Sequence, residues 1–185
     1  MKYLNATSHD GLTFKGSSVS IDAWADSNYA MDKTDRKSTT GMIIRIGENP
    51  IIWKSRKQKS VSLSTTEAEY MAASDATREI VWLRDLLAEL NQLKLSEPTP
   101  LYQDNQGAIF LENNNCSNQR SKHIDVRYHF IREQVQMKHI EVIYCPTADM
   151  IADFFTKPVN EAQFIKFKEL IMHSDECDKL SVTGL

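Results

Sequence analysis

The chain has 185 residues, enough for one domain with a hydrophobic core and too few for two domains of ordinary size. Hydrophobic residues make up 41% of the sequence, and no apolar run approaches the roughly 20 residues of a membrane-spanning helix. With a net charge of −3, a polyanionic ligand would have to bind a local positive patch. The three cysteines are far apart and odd in number, which argues against a disulfide framework or a zinc site. We therefore expect one soluble domain that does not enter a membrane.

The first half of the sequence predicts three strands and a long helix. From Val19 to Asp26, apolar residues alternate with other residues at the period of a strand. Two more strands, Thr40 to Ile46 and Pro50 to Lys54, flank a short turn and predict a hairpin. Residues 66–92 lack glycine and proline and are rich in helix-forming residues, so they predict a helix of about 25 residues.

The second half of the sequence alternates further strands and helices. The predicted elements are a strand from Thr99 to Gln103, a helix starting near Asn105, a helix from Ser121 to Met137, a strand from Ile140 to Tyr144, and a helix through Ala152 toward Lys157. The resulting order, β-β-β-α-β-α-α-β-α, predicts an α/β fold in which helices cover the faces of a mixed sheet.

Two glutamates, Glu67 and Glu69, stand at the start of the long helix. Ser64 and Glu67 have the S-x-x-E spacing of a capping box, so we interpret Glu67 as a capping residue on a largely solvated face. Thr66 and Glu69 have the same spacing, which leaves a capping role open for Glu69 as well. Helical steps from Glu69, however, reach only apolar positions: Ala73, Ala76, Ile80, Leu83, Leu87 and Leu90. A carboxylate on a buried stripe needs a partner to offset its desolvation, and a metal ion would be one.

Three aspartates occupy comparable positions near predicted strand ends or apolar turns. Asp26 ends the first strand, Asp104 follows the strand from Thr99 to Gln103, and Asp153 lies in an apolar turn. Singly, they have ordinary explanations as a turn former, a helix N-cap and a solvated helix residue. Together, they form an oxygen-only ligand set that suits Mg²⁺ or Mn²⁺, and a pair of such ions can promote displacement at a phosphodiester.

Six segments resemble, in order, the ribonuclease H domain at the C-terminus of copia-type (pseudovirus) retrotransposon polyproteins. They are ADSNYAMDKTDRKSTTG, IIWKSRKQKSVSLSTTEAEYMAAS, VWLRDLLAEL, LYQDNQGAI, RSKHIDVRYHFIREQV and YCPTADMIADFFTKP. The resemblance covers residues 18 to about 172 and implies a ribonuclease H-like fold, an α/β fold with a five-stranded mixed sheet whose first three strands are antiparallel. It also implies the end of a reverse transcriptase at 1–17, the ribonuclease H-like domain at 18–158, a C-terminal helix at 159–173 and a flexible tail at 174–185.

Matching the family motifs residue by residue implies four catalytic, metal-binding carboxylates: Asp26, Glu69, Asp104 and Asp153. They would hold two Mg²⁺ or Mn²⁺ ions. The family usually has D-A-D-W at the first site, whereas this chain has Asp26-Ser27-Asn28-Tyr29 and so lacks the second acid. Asp22 shares the face of Asp26 and is the competing choice for the first ligand. The segment before Asp153 lacks the histidine that cellular ribonucleases H carry in a flexible loop there.

The resemblance implies a metal-dependent endonuclease that hydrolyses the RNA strand of RNA/DNA hybrids during reverse transcription. Its partners would be the hybrid and the reverse transcriptase portion of the same polyprotein, in the cytoplasm within a virus-like particle or in the nucleus. The expected nucleic-acid-binding residues are Lys54, Arg56, Lys57, Lys59, Asn105 and Gln106, the last two near the RNA 2′-hydroxyl. A solvated strand end is an equal explanation of the basic run, and a second run, Arg120, Lys122, His123 and Arg127, is a weaker candidate.

The sequence allows two alternative functions to be considered. The chain could be a catalytically silent remnant of a retroelement that serves only as a nucleic-acid-binding or scaffold domain. A transposase or integrase of the same superfamily is disfavoured, because the glutamate lies on a helix between two of the aspartates and no zinc-binding spacing is present.

Overall fold

The computed structural model describes residues 5, 11–16, 19–91, 97–105 and 122–172, with side chains in the last range from residue 126 onward. Its strands form one five-stranded sheet in the order β3-β2-β1-β4-β5. The β1–β2 and β2–β3 pairs are antiparallel, and the β1–β4 and β4–β5 pairs are parallel, which confirms the predicted mixed sheet. The strands are β1 (Ile21–Asn28), β2 (Thr39–Ile46), β3 (Asn49–Lys57), β4 (Thr99–Gln103) and β5 (Ile140–Tyr144).

Three α-helices accompany the sheet in the described parts of the chain: α1 (Thr65–Glu89), α2 (Lys122–Gln136) and α3 (Glu161–Met172). None of the described helices is both long and apolar enough to span a membrane. The helix expected near Asn105 falls largely on residues 106–121, outside the described residues.

The helix predicted through Ala152 is wrong in type. Two short 3₁₀ turns, Thr147–Asp149 and Ile151–Phe155, replace it, and we call the second the 3₁₀ segment. Met150, between them, has extended backbone angles (φ −74°, ψ 92°), which interrupt any continuous helix. Asp153 therefore lies on a tight turn that presses against the sheet.

Each face of the sheet is covered by its own hydrophobic cluster. On one face, Ala23 and Ala25 of β1 pack with α1 and α2. On the other face, Trp24 packs with Ile151 and Ala152 of the 3₁₀ segment and with Phe167 of α3. Because side chains alternate along a strand, Asp26 lies on the face of Trp24, whereas Ser27 lies on the face of α1. This alternation decides which groups reach the end of β1 from each side.

The first strand has the predicted length but is shifted by two residues, from Val19 to Asp26 as predicted to Ile21–Asn28 in the structure. Its pairing with β2 continues beyond Asp26, through Ser27 opposite Thr40 and Asn28 opposite Thr39. Asp26 therefore sits inside a paired strand, opposite Gly41 of β2.

The start of α1 confirms the capping role of Glu67 but not its predicted exposure. The Glu67 amide donates to Ser64 Oγ (3.1 Å), and Oε2 of Glu67 accepts from the Leu63 amide (2.9 Å), one residue before the predicted partner. Glu67 is only 6% exposed, and its helical neighbour Met71 is also buried. The chain before α1 covers this side, since Ser62 Oγ contacts Met71 Sδ at 3.5 Å.

Candidate metal centre

Three carboxylates from distant parts of the sequence meet at one edge of the sheet. Asp26 comes from β1, Asp104 follows β4, and Asp153 comes from the 3₁₀ segment. Each offers one ligand oxygen, and these oxygens lie within 4.8 Å of one another. Since β1 and β4 are parallel neighbours, their carboxyl ends reach the same edge. We call Asp26, Asp104 and Asp153 the carboxylate cluster.

Gly41 allows Asp153 to approach Asp26. A Cβ atom at Gly41 would lie 2.5 Å from Thr156 Cγ2 and 2.8 Å from the Ala152 carbonyl oxygen, both closer than normal contact. The absent side chain lets the 3₁₀ segment pack directly on β2, opposite Asp26. Sequence reasoning missed Gly41, because a glycine in a strand gives no indication of which distant segment will approach it.

Glu69 reaches the same edge from the opposite face of the sheet. Its Oε1 accepts hydrogen bonds from the Ser27 amide (3.2 Å) and from Ser27 Oγ (2.8 Å). The Gln103 carboxamide donates to the Glu69 backbone carbonyl (3.3 Å), tying α1 to the strand end beside Asp104. Burial raises the pKa of Glu69 well above its ordinary value, and the charge of Asp26 raises it further. Glu69 is thus an electrostatic neighbour of the cluster, although its oxygens are not among the three that lie within 4.8 Å.

Burial and like charge make the ionised cluster unfavourable without a cation. Asp26 is 3% exposed, and its burial raises the pKa of Asp26 to about 6, with Asp153 adding to the rise. The Thr156 hydroxyl, which donates to Asp26 Oδ2, works in the opposite direction. Among the described residues, Asp153 Oδ2 and Glu69 Oε2 are buried and accept no hydrogen bond. Such oxygens fit a hard cation such as Mg²⁺ or Mn²⁺, which binds oxygen ligands.

Asp104, a member of the cluster, and Asp22, the competing choice for the first ligand, have different hydrogen-bond partners. Asp104 is half-buried, and its Oδ2 accepts from Thr147 Oγ1 (2.8 Å), a partner that sequence reasoning missed. Asp22 forms a two-pronged ion pair with Arg45, through Oδ1 to Nε (3.0 Å) and Oδ2 to Nη2 (2.7 Å). Because both of its oxygens are satisfied and it lies outside the cluster, Asp22 is the weaker choice for the first ligand.

The basic run of β3 is divided between the two faces of the sheet. Lys54 and Arg56 lie on the face of α1, where Lys54 pairs with Glu79 (2.5 Å). Lys57 alternates to the other face and pairs with Asp32 and Asp35. Lys59 follows the strand and is exposed. The four residues therefore do not form one continuous surface.

Three arginines from three elements converge on Asp75 of α1. Arg56 Nη2 lies 2.6 Å from Asp75 Oδ2, Arg127 Nη1 of α2 lies 2.9 Å from Oδ1, and Arg78 of α1 also pairs with Oδ1. Burial alone would raise the pKa of Asp75, but the arginines lower it overall. We call Arg56, Arg78 and Arg127 around Asp75 the arginine cluster. Of these four residues, Asp75 and Arg78 were missed from the sequence, because only folding brings them to the others.

A cleft of about 260 Å³ opens beside the arginine cluster, between β2, β3 and α1. Lys54, Arg56 and Arg78 line it together with Asp75 and Glu79. Of the other expected contacts, Asn105 is half-buried next to Asp104. Gln106 and Arg120 lie outside the described residues, as do the side chains of Lys122 and His123.

No protein-family model matches the sequence. The chain is nevertheless 41% identical over 172 residues to the retrovirus-related Pol polyprotein from transposon RE1 of Arabidopsis thaliana, covering 92% of this chain and 12% of that protein. It is 42% identical over 176 residues to the Pol polyprotein from transposon TNT 1-94 of Nicotiana tabacum, covering 95% and 13%. The chain thus spans about an eighth of the length of these relatives.

Solved structures of ribonucleases H share the fold. LC11-RNase H1, isolated from compost, superimposes with a TM-score of 0.56 at 12% identity, covering 75% of this chain and 93% of that one. The same enzyme solved with an RNA/DNA hybrid gives a TM-score of 0.52 at 13% identity, covering 74% and 93%. At this identity the likeness establishes the fold, and it confirms the ribonuclease H-like architecture expected from the sequence.

Proposed function

Because the chain belongs to the Pol polyproteins of copia-type transposons and has the ribonuclease H fold, we propose that it hydrolyses the RNA strand of RNA/DNA hybrids during reverse transcription. The observation that carries the proposal is the convergence of Asp26, Asp104 and Asp153, with ligand oxygens within 4.8 Å of one another. The neighbour LC11-RNase H1, which was solved in complex with an RNA/DNA hybrid, supports the choice of substrate.

The three carboxylates of the cluster and Glu69 would together hold two divalent ions, Mg²⁺ or Mn²⁺. The donor set contains oxygen alone, and the buried, donor-free oxygens of Asp153 and Glu69 suit such ions. Bound divalent ions would make a water molecule more acidic and neutralise charge on the leaving oxygen. Asp26, Glu69, Asp104 and Asp153 serve as ligands in this proposal.

Neighbouring residues fix the orientation of these ligands. Thr156 holds Asp26 through Oδ2, and Thr147 holds Asp104 through Oδ2. Ser27 holds Glu69 through Oε1, which leaves Oε2 unoccupied by any described donor. One oxygen of a ligand is thereby fixed while the other remains available for coordination.

Nucleic-acid contacts are proposed at two places. Asn105 and Gln106, the two residues that follow Asp104 in the sequence, would contact the RNA 2′-hydroxyl. Along the cleft, Lys54 and Arg56 with Arg78 offer cationic groups to backbone phosphates. Lys57, on the other face of the sheet, and Lys59, which is exposed, would contribute further phosphate contacts.

Within the polyprotein, we assign residues 1–17 to the end of the reverse transcriptase and 18–158 to the ribonuclease H-like domain. The helix assigned to 159–173 corresponds to α3, and 174–185 would be a tail. The reverse transcriptase portion is then the covalent partner of this domain. The expected site of action is a cytoplasmic virus-like particle or the nucleus.

The test is cleavage of a hybrid whose RNA strand is labelled, with Mg²⁺ or Mn²⁺, by the parent chain and by Asp104→Asn. We expect the parent to cleave RNA only when it is paired with DNA, and the variant to lose cleavage by roughly 10³-fold because a ligand is lost. Binding of the hybrid without cleavage by the parent would instead support the catalytically silent domain. Equal cleavage by the variant would contradict the assigned site.

A further inference from the structure

A lysine side chain occupies part of the proposed metal centre. Lys157 Nζ lies 2.8 Å from Oδ1 of Asp153, whose side chain is 1% exposed. The Lys157 amide donates to the Asp153 carbonyl (3.2 Å), which fixes the turn and directs the lysine back over the cluster. The side chain of Lys157 is 37% exposed, so the ammonium group lies between the buried carboxylates and solvent.

The Lys157 ammonium interacts electrostatically with the whole cluster. The lysine pairs directly with Asp153, whose ligand oxygen lies within 4.8 Å of those of Asp26 and Asp104. It supplies one positive charge to a cluster whose three carboxylates carry three negative charges when ionised.

We propose that Lys157 is an internal counter-ion of the carboxylate cluster, which stabilises the metal-free protein and opposes the binding of divalent cations. A divalent ion that coordinates Asp153 must either displace the ammonium from Oδ1 or bind Oδ2 beside it, against the repulsion between two cations. The affinity of the site for metal is thus set lower than its carboxylates alone would give. This inference rests on the proposed function only in taking the cluster as a metal site.

A counter-ion role for Lys157 differs in its consequences from a role in which the lysine only orients Asp153. An orienting residue would strengthen metal binding, because a fixed ligand loses less freedom on coordination. A counter-ion would weaken metal binding while it stabilises the metal-free protein. Replacing Lys157 by methionine removes the charge and keeps most of the apolar stem, so the two roles predict opposite changes in metal affinity.

The experiment is a calorimetric titration of the full chain with Mn²⁺, together with thermal unfolding in EDTA. We expect Lys157→Met to bind Mn²⁺ roughly tenfold more tightly than the parent, because a repelling charge is lost. In EDTA it should unfold at a lower temperature than the parent. Lys157→Arg keeps the charge and should resemble the parent.

The matched control is Lys166→Met, which also removes one lysine. Lys166 pairs with Asp149 (2.6 Å), and both side chains are about half-exposed (47% and 60%). This control should change neither Mn²⁺ affinity nor the unfolding temperature. Asp104→Asn should abolish high-affinity Mn²⁺ binding when it is added to the parent or to any of the lysine variants. This loss would assign the measured heat of binding to the carboxylate cluster.

Equal or weaker Mn²⁺ binding by Lys157→Met would overturn the inference. If the parent still cleaves hybrids with Mn²⁺ in that case, the proposed function stands and only the role of Lys157 fails. Absence of Mn²⁺ binding by the parent and by Lys157→Met, together with absence of cleavage, would overturn both.

Discussion

Two regions of this molecule bury carboxylates in opposite ways. In the arginine cluster, both oxygens of Asp75 pair with arginines from β3, α1 and α2, and the pKa of Asp75 falls despite burial. In the carboxylate cluster, acids face one another, buried oxygens lack donors, and the pKa of Asp26 rises to about 6. In the first arrangement both carboxylate oxygens are paired, whereas the second leaves buried oxygens that a bound cation would satisfy. A buried acid therefore indicates a ligand site only when its surroundings leave it unsatisfied.

The strongest test of this contrast is Asp75→Asn. Loss of the shared anion leaves three arginines facing one another, so we expect the free energy of unfolding to fall by about 2 to 3 kcal/mol. The arginine side chains are 30% to 56% exposed, which keeps this value below that for a fully buried pair. Urea denaturation measures it. An unchanged midpoint would mean that the arginine cluster contributes nothing to stability.

The second prediction concerns a substitution that disturbs the carboxylate cluster without replacing any of its aspartates. Gly41→Ala should lower the free energy of unfolding by about 2 kcal/mol, since the new methyl group meets the Ala152 carbonyl and Thr156. It should also weaken Mn²⁺ binding, because Asp153 must move away from Asp26. Gly16→Ala is the control, as a Cβ there meets nothing within 4 Å. Equal stability of the two variants would show that the 3₁₀ segment can accommodate a methyl group at position 41.

The third prediction has the opposite sign from the first. Asp26→Asn removes a buried charge that has unfavourable neighbours, so the metal-free protein should gain about 1 to 2 kcal/mol at neutral pH. Saturating Mn²⁺ should stabilise the parent but not this variant. Thermal unfolding in EDTA and in Mn²⁺ gives both comparisons. Destabilisation of the variant in EDTA would mean that Asp26 is satisfied without metal.

The stabilities of Asp26→Asn and Asp75→Asn, each relative to the parent, should also depend on pH in opposite ways. The pKa of Asp26 is raised from 3.8 to about 6, so its ionisation destabilises the folded protein, and the gain from Asp26→Asn should appear as pH rises from about 4 to 6. The pKa of Asp75 is lowered, so its stabilising effect is present above the ordinary value of 3.8 and is lost below it. The deficit of Asp75→Asn should therefore shrink in acid. Parallel pH profiles for the two variants would contradict the contrast.

The smallest expected effect concerns Lys59, which lies outside both clusters and is exposed. Lys59→Met should change the free energy of unfolding by less than about 0.5 kcal/mol. If this lysine contacts a phosphate, the variant should lower the slope of log affinity against log salt by about 0.9, measured by fluorescence anisotropy with a hybrid. An unchanged slope would remove Lys59 from the proposed contacts.

Much of the architecture could be predicted from local patterns. Strand alternation predicted β1, and the short turn after Ile46 predicted the hairpin of β2 and β3. Helical periodicity separated Glu69 from Glu67 before any resemblance was considered. The structure places Glu69 where Ser27 can bind it, consistent with that separation. The burial of Glu67 was missed because it depends on the preceding loop folding over the helix.

The contacts that shape both clusters could not be predicted, since they join segments that are distant in sequence. Gly41 matters only because the 3₁₀ segment crosses it, and Asp75 only because β3 and α2 bring arginines to it. Lys157 stands four residues after Asp153, a spacing that suggests a helical pair. Its position over the cluster depends on the tight turn that replaced the predicted helix.

The hydrogen bond from the Ser27 amide to Glu69 gives the centre a built-in spectroscopic probe. The Ser27 amide donates its proton in a hydrogen bond to Oε1 of Glu69 (3.2 Å, N to Oε1), a carboxylate that is proposed to bind metal. Its chemical shift should respond when Glu69 loses a proton or when a diamagnetic ion such as Mg²⁺ draws charge from the carboxylate. One backbone resonance would thus follow occupancy of the centre in the absence of any nucleic acid.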